Sequence, residues 1–199
     1  DSEIRAAAMI LSSNGSRLCS GSMINNVRQD LTPYFLTANH CIYGNTDSWI
    51  IMFNYESPGC ANENGPTNMT VQGTTLRSSG AGSDFALFEL SEIPPESYEI
   101  HYSGWSALDV APVQPVAIHH PSGDIKKISF DYENGISDGW SGNDGSHWRV
   151  ADWEDGTTEP GSSGSPLYDA DHRIVGQLHG GEASCSYNVN DYYGKFSTS

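Results

Sequence analysis

The chain has 199 residues, a formal net charge of −16, 21 glycines, 10 prolines and only 17% charged residues. This composition favours a turn-rich, mostly β protein with one substantial core or two small ones. The charge argues against nucleic acid as a partner, because phosphates are repelled, and no apolar run approaches the roughly 18 to 20 residues that span a bilayer. Cationic peptides would instead be attracted, although surface carboxylates that keep a secreted protein soluble explain the same charge. No basic segment followed by an apolar one opens the sequence, so a secretory signal is either removed or never there.

Short apolar runs alternate with polar turns through the first half, which predicts strands at 5–11 and 18–24 around the turn Ser13-Asn14-Gly15-Ser16. A buried strand at 33–38 follows, then one at 49–55, a long loop at 56–68 and a strand at 69–77. Ser78-Ser79-Gly80-Ala81-Gly82 reads as a flexible approach to an apolar strand at 85–90. Pro94-Pro95 marks a connection between two halves, 1–95 and 96–199. The second half predicts strands at 113–119, 125–132, 148–153, 165–168 and 173–178, with 134–145 as a Gly- and Asp-rich surface loop. No long amphipathic helix is present.

Chemistry concentrates in three segments. In Pro160-Gly161-Ser162-Ser163-Gly164-Ser165-Pro166, flanking glycines permit a tight turn that exposes a serine hydroxyl and aims backbone amides at one point. A serine alone is a poor nucleophile and needs a base with something to orient it. Thr37-Ala38-Asn39-His40-Cys41 supplies an imidazole, and Ser83-Asp84-Phe85-Ala86 supplies a carboxylate at the head of an apolar strand. The order His40, Asp84, Ser163 is that of the chymotrypsin type, unlike subtilisins or α/β-hydrolases.

These segments, with Cys19-Ser20-Gly21-Ser22-Met23, resemble chymotrypsin-like serine proteases. Within them the chain is most similar to the bacterial lysyl endopeptidases, through His119-His120-Pro121-Ser122-Gly123-Asp124, Glu159-Pro160-Gly161-Ser162-Ser163-Gly164 and Gly176-Gln177-Leu178-His179-Gly180-Gly181. The resemblance implies an all-β fold of two antiparallel β-barrels, together one peptidase domain, with the active site in the cleft between them. The first barrel, 1–95, would carry His40 and Asp84. The second, 96–199, would carry Ser163. It further implies a disulfide between Cys19 and Cys41, closing a loop worth roughly 3 kcal/mol. In the relatives the cysteines matching Cys60 and Cys185 pair with two others near the N-terminus, and none precedes Cys19 here. Those two bond each other, stay free, or have lost partners. Lysyl endopeptidases also continue past the position of Ser199.

By the same resemblance Ser163 is the nucleophile, His40 the general base and Asp84 its orienting partner. The backbone N–H groups of Gly161 and Ser163 form the oxyanion hole. Many chymotrypsin-like enzymes carry an aspartate just before the nucleophile; Ser162 stands there instead, so an activation switch that pairs that aspartate with a new N-terminal amine is unavailable. Asp191 matches the aspartate at the base of the lysyl endopeptidase pocket, where it would pair with a substrate ammonium. His179 and Gly180 would line the substrate subsites, with a tryptophan stacked on His179: Trp140 by spacing, or else Trp148. The other histidines, among them His101, His147 and His172, lie outside matching contexts. Adjacent His119 and His120 point in different directions on a strand and have no near third ligand, so no metal is expected there. The acidic loop 138–144 lacks the spaced ligands of a calcium-binding hand.

The sequence therefore leads to a secreted, monomeric serine endopeptidase without cofactor, membrane or nucleic-acid partner, cleaving polypeptides after lysine. Two alternatives stay open: a trypsin-like enzyme accepting arginine as well, and a catalytically silent protease-fold binding protein. An esterase of the Gly-x-Ser-x-Gly type is disfavoured by Ser165, where that motif needs glycine, and by the order of the three residues.

Overall fold

The computed structural model describes residues 2–199, which form fourteen strands linked by turns and single-turn 3-10 segments. The first seven strands are β1 (Ala7–Leu11), β2 (Arg17–Ile24), β3 (Tyr34–Ala38), β4 (Ile50–Phe53), β5 (Thr70–Gln72), β6 (Thr74–Gly80) and β7 (Phe85–Leu90). They make one antiparallel sheet in the order β5-β4-β1-β2-β3-β7-β6. The second sheet takes β8 (Val116–His119), β9 (Lys127–Phe130), β10 (Ile136–Asp138), β11 (His147–Asp152), β12 (Pro166–Tyr168), β13 (Ile174–Gly181) and β14 (Val189–Lys195) in the order β10-β11-β14-β13-β12-β8-β9.

Each sheet wraps its own core. Trp49 packs against Phe88 with ring centroids 4.9 Å apart, among Ile10, Phe35, Ile51 and Phe53. Trp148, Val150, Trp153, Leu167 and Tyr193 fill the second. Each such side chain contributes about 1.5 to 3 kcal/mol by leaving water. A third cluster joins the halves: Ala7, Ile24 and Leu36 of the first sheet meet Ile118, Tyr168 and Ile174 of the second. That apolar seam fixes one half against the other.

Four local expectations need correction. The predicted strand at 69–77 is two strands, parted at Gly73, whose φ of 99° suits glycine. The stretch read as a flexible approach at 78–82 is ordered as far as Gly80, because β6 pairs with β7 along its length. The surface loop at 134–145 contains β10, which pairs with β11. Finally, β14 has no counterpart among the sequence-predicted strands, although it lies between β11 and β13 in the interior of its sheet. Its run Val-Asn-Asp-Tyr-Tyr-Gly-Lys is too polar to read as a central strand.

Candidate active site

β3 ends at Ala38 and turns at once through a 3-10 segment, Asn39–Cys41, which carries His40 to the edge of the first sheet. The disulfide Cys19–Cys41 ties that turn to β2. Asp84 stands just before β7 in the left-handed region (φ 54°), a conformation that aspartate tolerates better than most residues. From there Asp84 Oδ1 accepts the His40 backbone N–H at 2.9 Å, and Oδ2 accepts the ring Nδ1–H at 2.7 Å. The Asp84 side chain is 4% exposed and that of His40 41%, so a shielded carboxylate holds an imidazole open to solvent.

The Ser163 turn approaches from the second sheet and is pinned to the first. The Ser20 N–H donates to the Ser163 carbonyl at 2.8 Å and Ser20 Oγ donates to the Gly161 carbonyl at 2.9 Å, while the Gly164 N–H holds the turn to β13 of its own sheet by donating to Leu178 O at 2.7 Å. Gly161 and Gly164 adopt φ of 98° and 80°. A Cβ at Gly164 would lie 2.1 Å from Thr37 Oγ1 and 2.5 Å from Ser20 O, so only glycine lets this turn seat against β2 and β3. The carbonyl of Ser163 lies 3.9 Å from Cys41 Sγ, which sets the turn beside His40. Among the described residues, Ser163 Oγ makes no hydrogen bond, and the Gly161 and Ser163 amides find no backbone acceptor.

Ser162 is buried and tied down. Its Oγ accepts the Glu159 N–H at 3.2 Å and lies 2.8 Å from His119 Nδ1, whose Nε2 is 3.0 Å from Ser129 Oγ. A hydroxyl held by a buried imidazole thus occupies the place of the activation aspartate. Burial pushes His119 down to about 4 and His120 down to about 3, with the Lys126 charge adding to the burial effect at His120. His120 Nδ1 lies 3.0 Å from Asp124 O. Both rings are internal ties.

On β13, His179 stacks on Trp140 with centroids 3.8 Å apart and planes 18° apart; Trp148 is instead buried in the core beneath Lys195. His179 Nε2 is 3.7 Å from Asp84 Oδ2, and its Nδ1 is 2.9 Å from His147 Nε2. The proton positions along this chain follow from Ser146. Its hydroxyl has one proton, which goes to Asp144 Oδ1 at 2.6 Å, so Ser146 Oγ accepts from His147 Nδ1–H at 2.7 Å. His147 Nε2 is then a lone pair that accepts from His179 Nδ1–H. Neutral His179 therefore turns a bare Nε2 toward Asp84 and does not compete with His40 as a donor. Burial holds His179 down to about 4, which keeps it in that neutral form. Sequence reasoning missed His147, since nothing local marks it.

Asp191, on β14, faces Val150 of β11 on one side and Gly181 of β13 on the other, and is 1% exposed. Its Oδ2 accepts Trp153 Nε1–H at 2.8 Å and Thr158 Oγ1–H at 2.6 Å; its Oδ1 has no partner. Burial raises its pKa, and the two donors pull the other way. Trp153 and Thr158 were also missed. Cys60 and Cys185 are both exposed and free, on the border of one groove of about 820 Å³.

Two packed antiparallel β-sheets, with His40 and Asp84 on the first and the Ser163 turn on the second, define the chymotrypsin-like protease fold. The sequence model of the family "Lysyl endopeptidase, C-terminal domain" matches residues 1–194. Lysyl endopeptidase of Pseudomonas aeruginosa is 31% identical over 208 residues, covering 96% of this chain and 44% of that protein. This chain thus belongs to the lysyl endopeptidase C-terminal domain family, and it spans less than half the length of that relative. Two solved structures share the fold. The active form of the Rv3671c protease of M. tuberculosis has a TM-score of 0.61 at 14% identity, covering 98% of this chain and 78% of that one. The HtrA-type protease AlgW, solved with a tripeptide, has a TM-score of 0.65 at 16% identity over 98% and 57%.

Proposed function

We propose that this chain is a serine endopeptidase that hydrolyses polypeptides on the carboxyl side of lysine. The observation that carries the reading is the shielded Asp84–His40 pair beside the glycine-flanked Ser163 turn. Ser163 Oγ attacks the scissile carbonyl while His40 Nε2 takes its proton, and the Gly161 and Ser163 amides receive the oxyanion. Asp84 stabilises the imidazolium, which then protonates the leaving amine. Water enters, His40 again serves as base, and the acyl-enzyme is hydrolysed. The Ser163–His40 hydrogen bond closes when substrate is seated, as such bonds are often long without it.

Substrate backbone pairs with the exposed end of β13 at Gly180 and Gly181, and the His179–Trp140 stack walls the adjoining subsites. The unpartnered Oδ1 of Asp191 receives the lysine ammonium. A net charge of −16 draws cationic polypeptides toward the site. The chain works as a monomer without a cofactor, its two halves 1–95 and 96–199 acting as one unit. It functions outside the cell, a reading supported by the Cys19–Cys41 disulfide.

Matched peptide reporters with Lys, Arg or Glu before the scissile bond test this, with Ser163→Ala run alongside. Lysine cleavage lost in the variant supports both mechanism and pocket. Absence of cleavage in the unmodified chain would leave protease-fold binding as the better reading.

A further inference from the structure

The unequal environments of the two Asp191 oxygens bear on a choice that a single carboxylate leaves open, ammonium against guanidinium. Oδ2 is saturated by an indole N–H at 2.8 Å and a hydroxyl at 2.6 Å, while Oδ1 is buried and unpartnered. A guanidinium is a rigid planar fork whose strong mode is two parallel N–H···O bonds to both oxygens of a carboxylate. An ammonium is a compact charge with three rotatable donors, so it can give one to a single oxygen and turn the others to acceptors elsewhere, which a rigid fork cannot do. We infer that Trp153 and Thr158 are positioning residues that set lysine over arginine, by occupying Oδ2 and leaving Asp191 one oxygen to offer. The inference rests on Asp191 being the pocket carboxylate of the function proposed above.

Two further features fit. Both donors are themselves locked: Trp153 is 3% exposed within the second core, and Thr158 is 3% exposed. Oδ2 is therefore not freed by a simple rotation. The space at Oδ1 is narrow as well, because a Cβ at Gly181 would lie 2.4 Å from it. Gly181 thus lies against Oδ1, where any side chain would intrude, and this leaves no breadth for a second parallel bond. A guanidinium reaching Asp191 makes one bond and strands its other buried N–H groups, and buried polar groups left unpaired are the strongest source of rejection. Arginine is thereby disfavoured by about 10- to 100-fold in kcat/KM.

The test uses Thr158→Val, which keeps the shape and removes the donor, and Trp153→Phe, which removes the indole N–H. Thr158→Ser is the conservative rescue. Lysine and arginine reporters are compared after active-site titration, so only competent molecules count. In parallel, calorimetry on Ser163→Ala measures butylamine against benzamidine, whose flat amidinium needs both oxygens. The expected result is a Lys:Arg ratio narrowed about tenfold or more in Thr158→Val through a lower arginine KM. Benzamidine should gain on butylamine, and Thr158→Ser should stay as it was. An unchanged ratio in both donor-removing variants overturns the inference, as does equal turnover of lysine and arginine by the unmodified chain. If no reporter is cleaved, the function proposed above fails separately. The amine and amidine binding then decides: an ammonium preference lost in Ser163→Ala/Thr158→Val supports the role of Thr158, and an unaltered preference refutes it.

Discussion

Acid should destabilise this protein through two histidines that never meet solvent. His119 and His120 are both 0% exposed, and burial holds them at about 4 and about 3 against an ordinary value near 6.5. The native values lie below the unfolded one, so between pH 6.5 and 4 the unfolded chain takes up protons that the native state refuses. The stability these rings contribute is therefore complete above pH 6.5 and drains away as pH falls. Each unit of pH costs about 1.4 kcal/mol per histidine. At pH 4.5 each ring has cost roughly 2 to 3 kcal/mol, and the pair about 5, comparable to the whole stability of a modest domain. Relief of repulsion among 25 acidic residues opposes this, so the discriminating quantity is a difference of slopes. Urea unfolding at pH 7, 6, 5.5, 5 and 4.5 would be followed in Ser163→Ala, which prevents self-digestion, with and without His119→Gln. Glutamine keeps one donor and one acceptor for Ser162 and Ser129 but cannot take the proton. The slope below pH 6 should fall by about 1.4 kcal/mol per unit in the double variant. Identical slopes would mean that His119 titrates alike in both states, and the argument from its burial would be wrong.

Other consequences follow from the same geometry. Asp191→Asn removes the charge proposed to meet the substrate ammonium and should lower kcat/KM for lysine reporters about 10²- to 10⁴-fold, on the scale of breaking a buried ion pair; a change below fivefold would place the pocket elsewhere. Replacing His147 by Phe removes the acceptor that fixes the His179 tautomer. In Ser163→Ala, ¹⁵N NMR should show His179 protonated at Nδ1 and a mixed tautomer once His147 is replaced, whereas protonation at Nε2 in the parent would contradict the proton order read from Ser146. Of the three lysines, the side chains of Lys126 and Lys195 are 3% and 1% exposed and that of Lys127 is 39% exposed. Mass spectrometry of aged enzyme should find the first self-cleavage after Lys127, and early cleavage after Lys195 would count against the native fold as its own protection. Replacing Cys19 and Cys41 together by alanine reopens a 22-residue separation and should cost about 3 kcal/mol in urea unfolding, with kcat falling more than KM rises because the His40 turn loses its tether.

What could be read from the sequence divides along a physical line. The His40, Asp84 and Ser163 segments were legible because their chemistry is local: Gly161 and Gly164, enclosing two serines, declare a strained turn, and Gly164 does need φ of 80° and the absence of a Cβ. β7 was legible for a similar reason, since Phe85–Leu90 alternates buried and half-buried positions with the strand period. β14 defeats that reading. Its buried positions include Asp191 and Lys195, whose charges are tolerated only because Trp153, Thr158, Asp109, Ser137 and the face of Trp148 come from distant parts of the chain to meet them. A central strand built on long-range polar contacts carries no hydrophobic period, so pattern reading passes over it. The same holds for the groups proposed to select the substrate. Nothing within ten residues of Thr158 announces Asp191, and nothing near His147 announces His179, 32 positions later. The groups proposed to react are thus set by local turn geometry, while those proposed to orient and select are set by the packing of β11 and β13 on either side of β14. Variation in substrate preference among chains with this fold should accordingly track Trp153, Thr158 and Gly181 more closely than the residues beside Ser163.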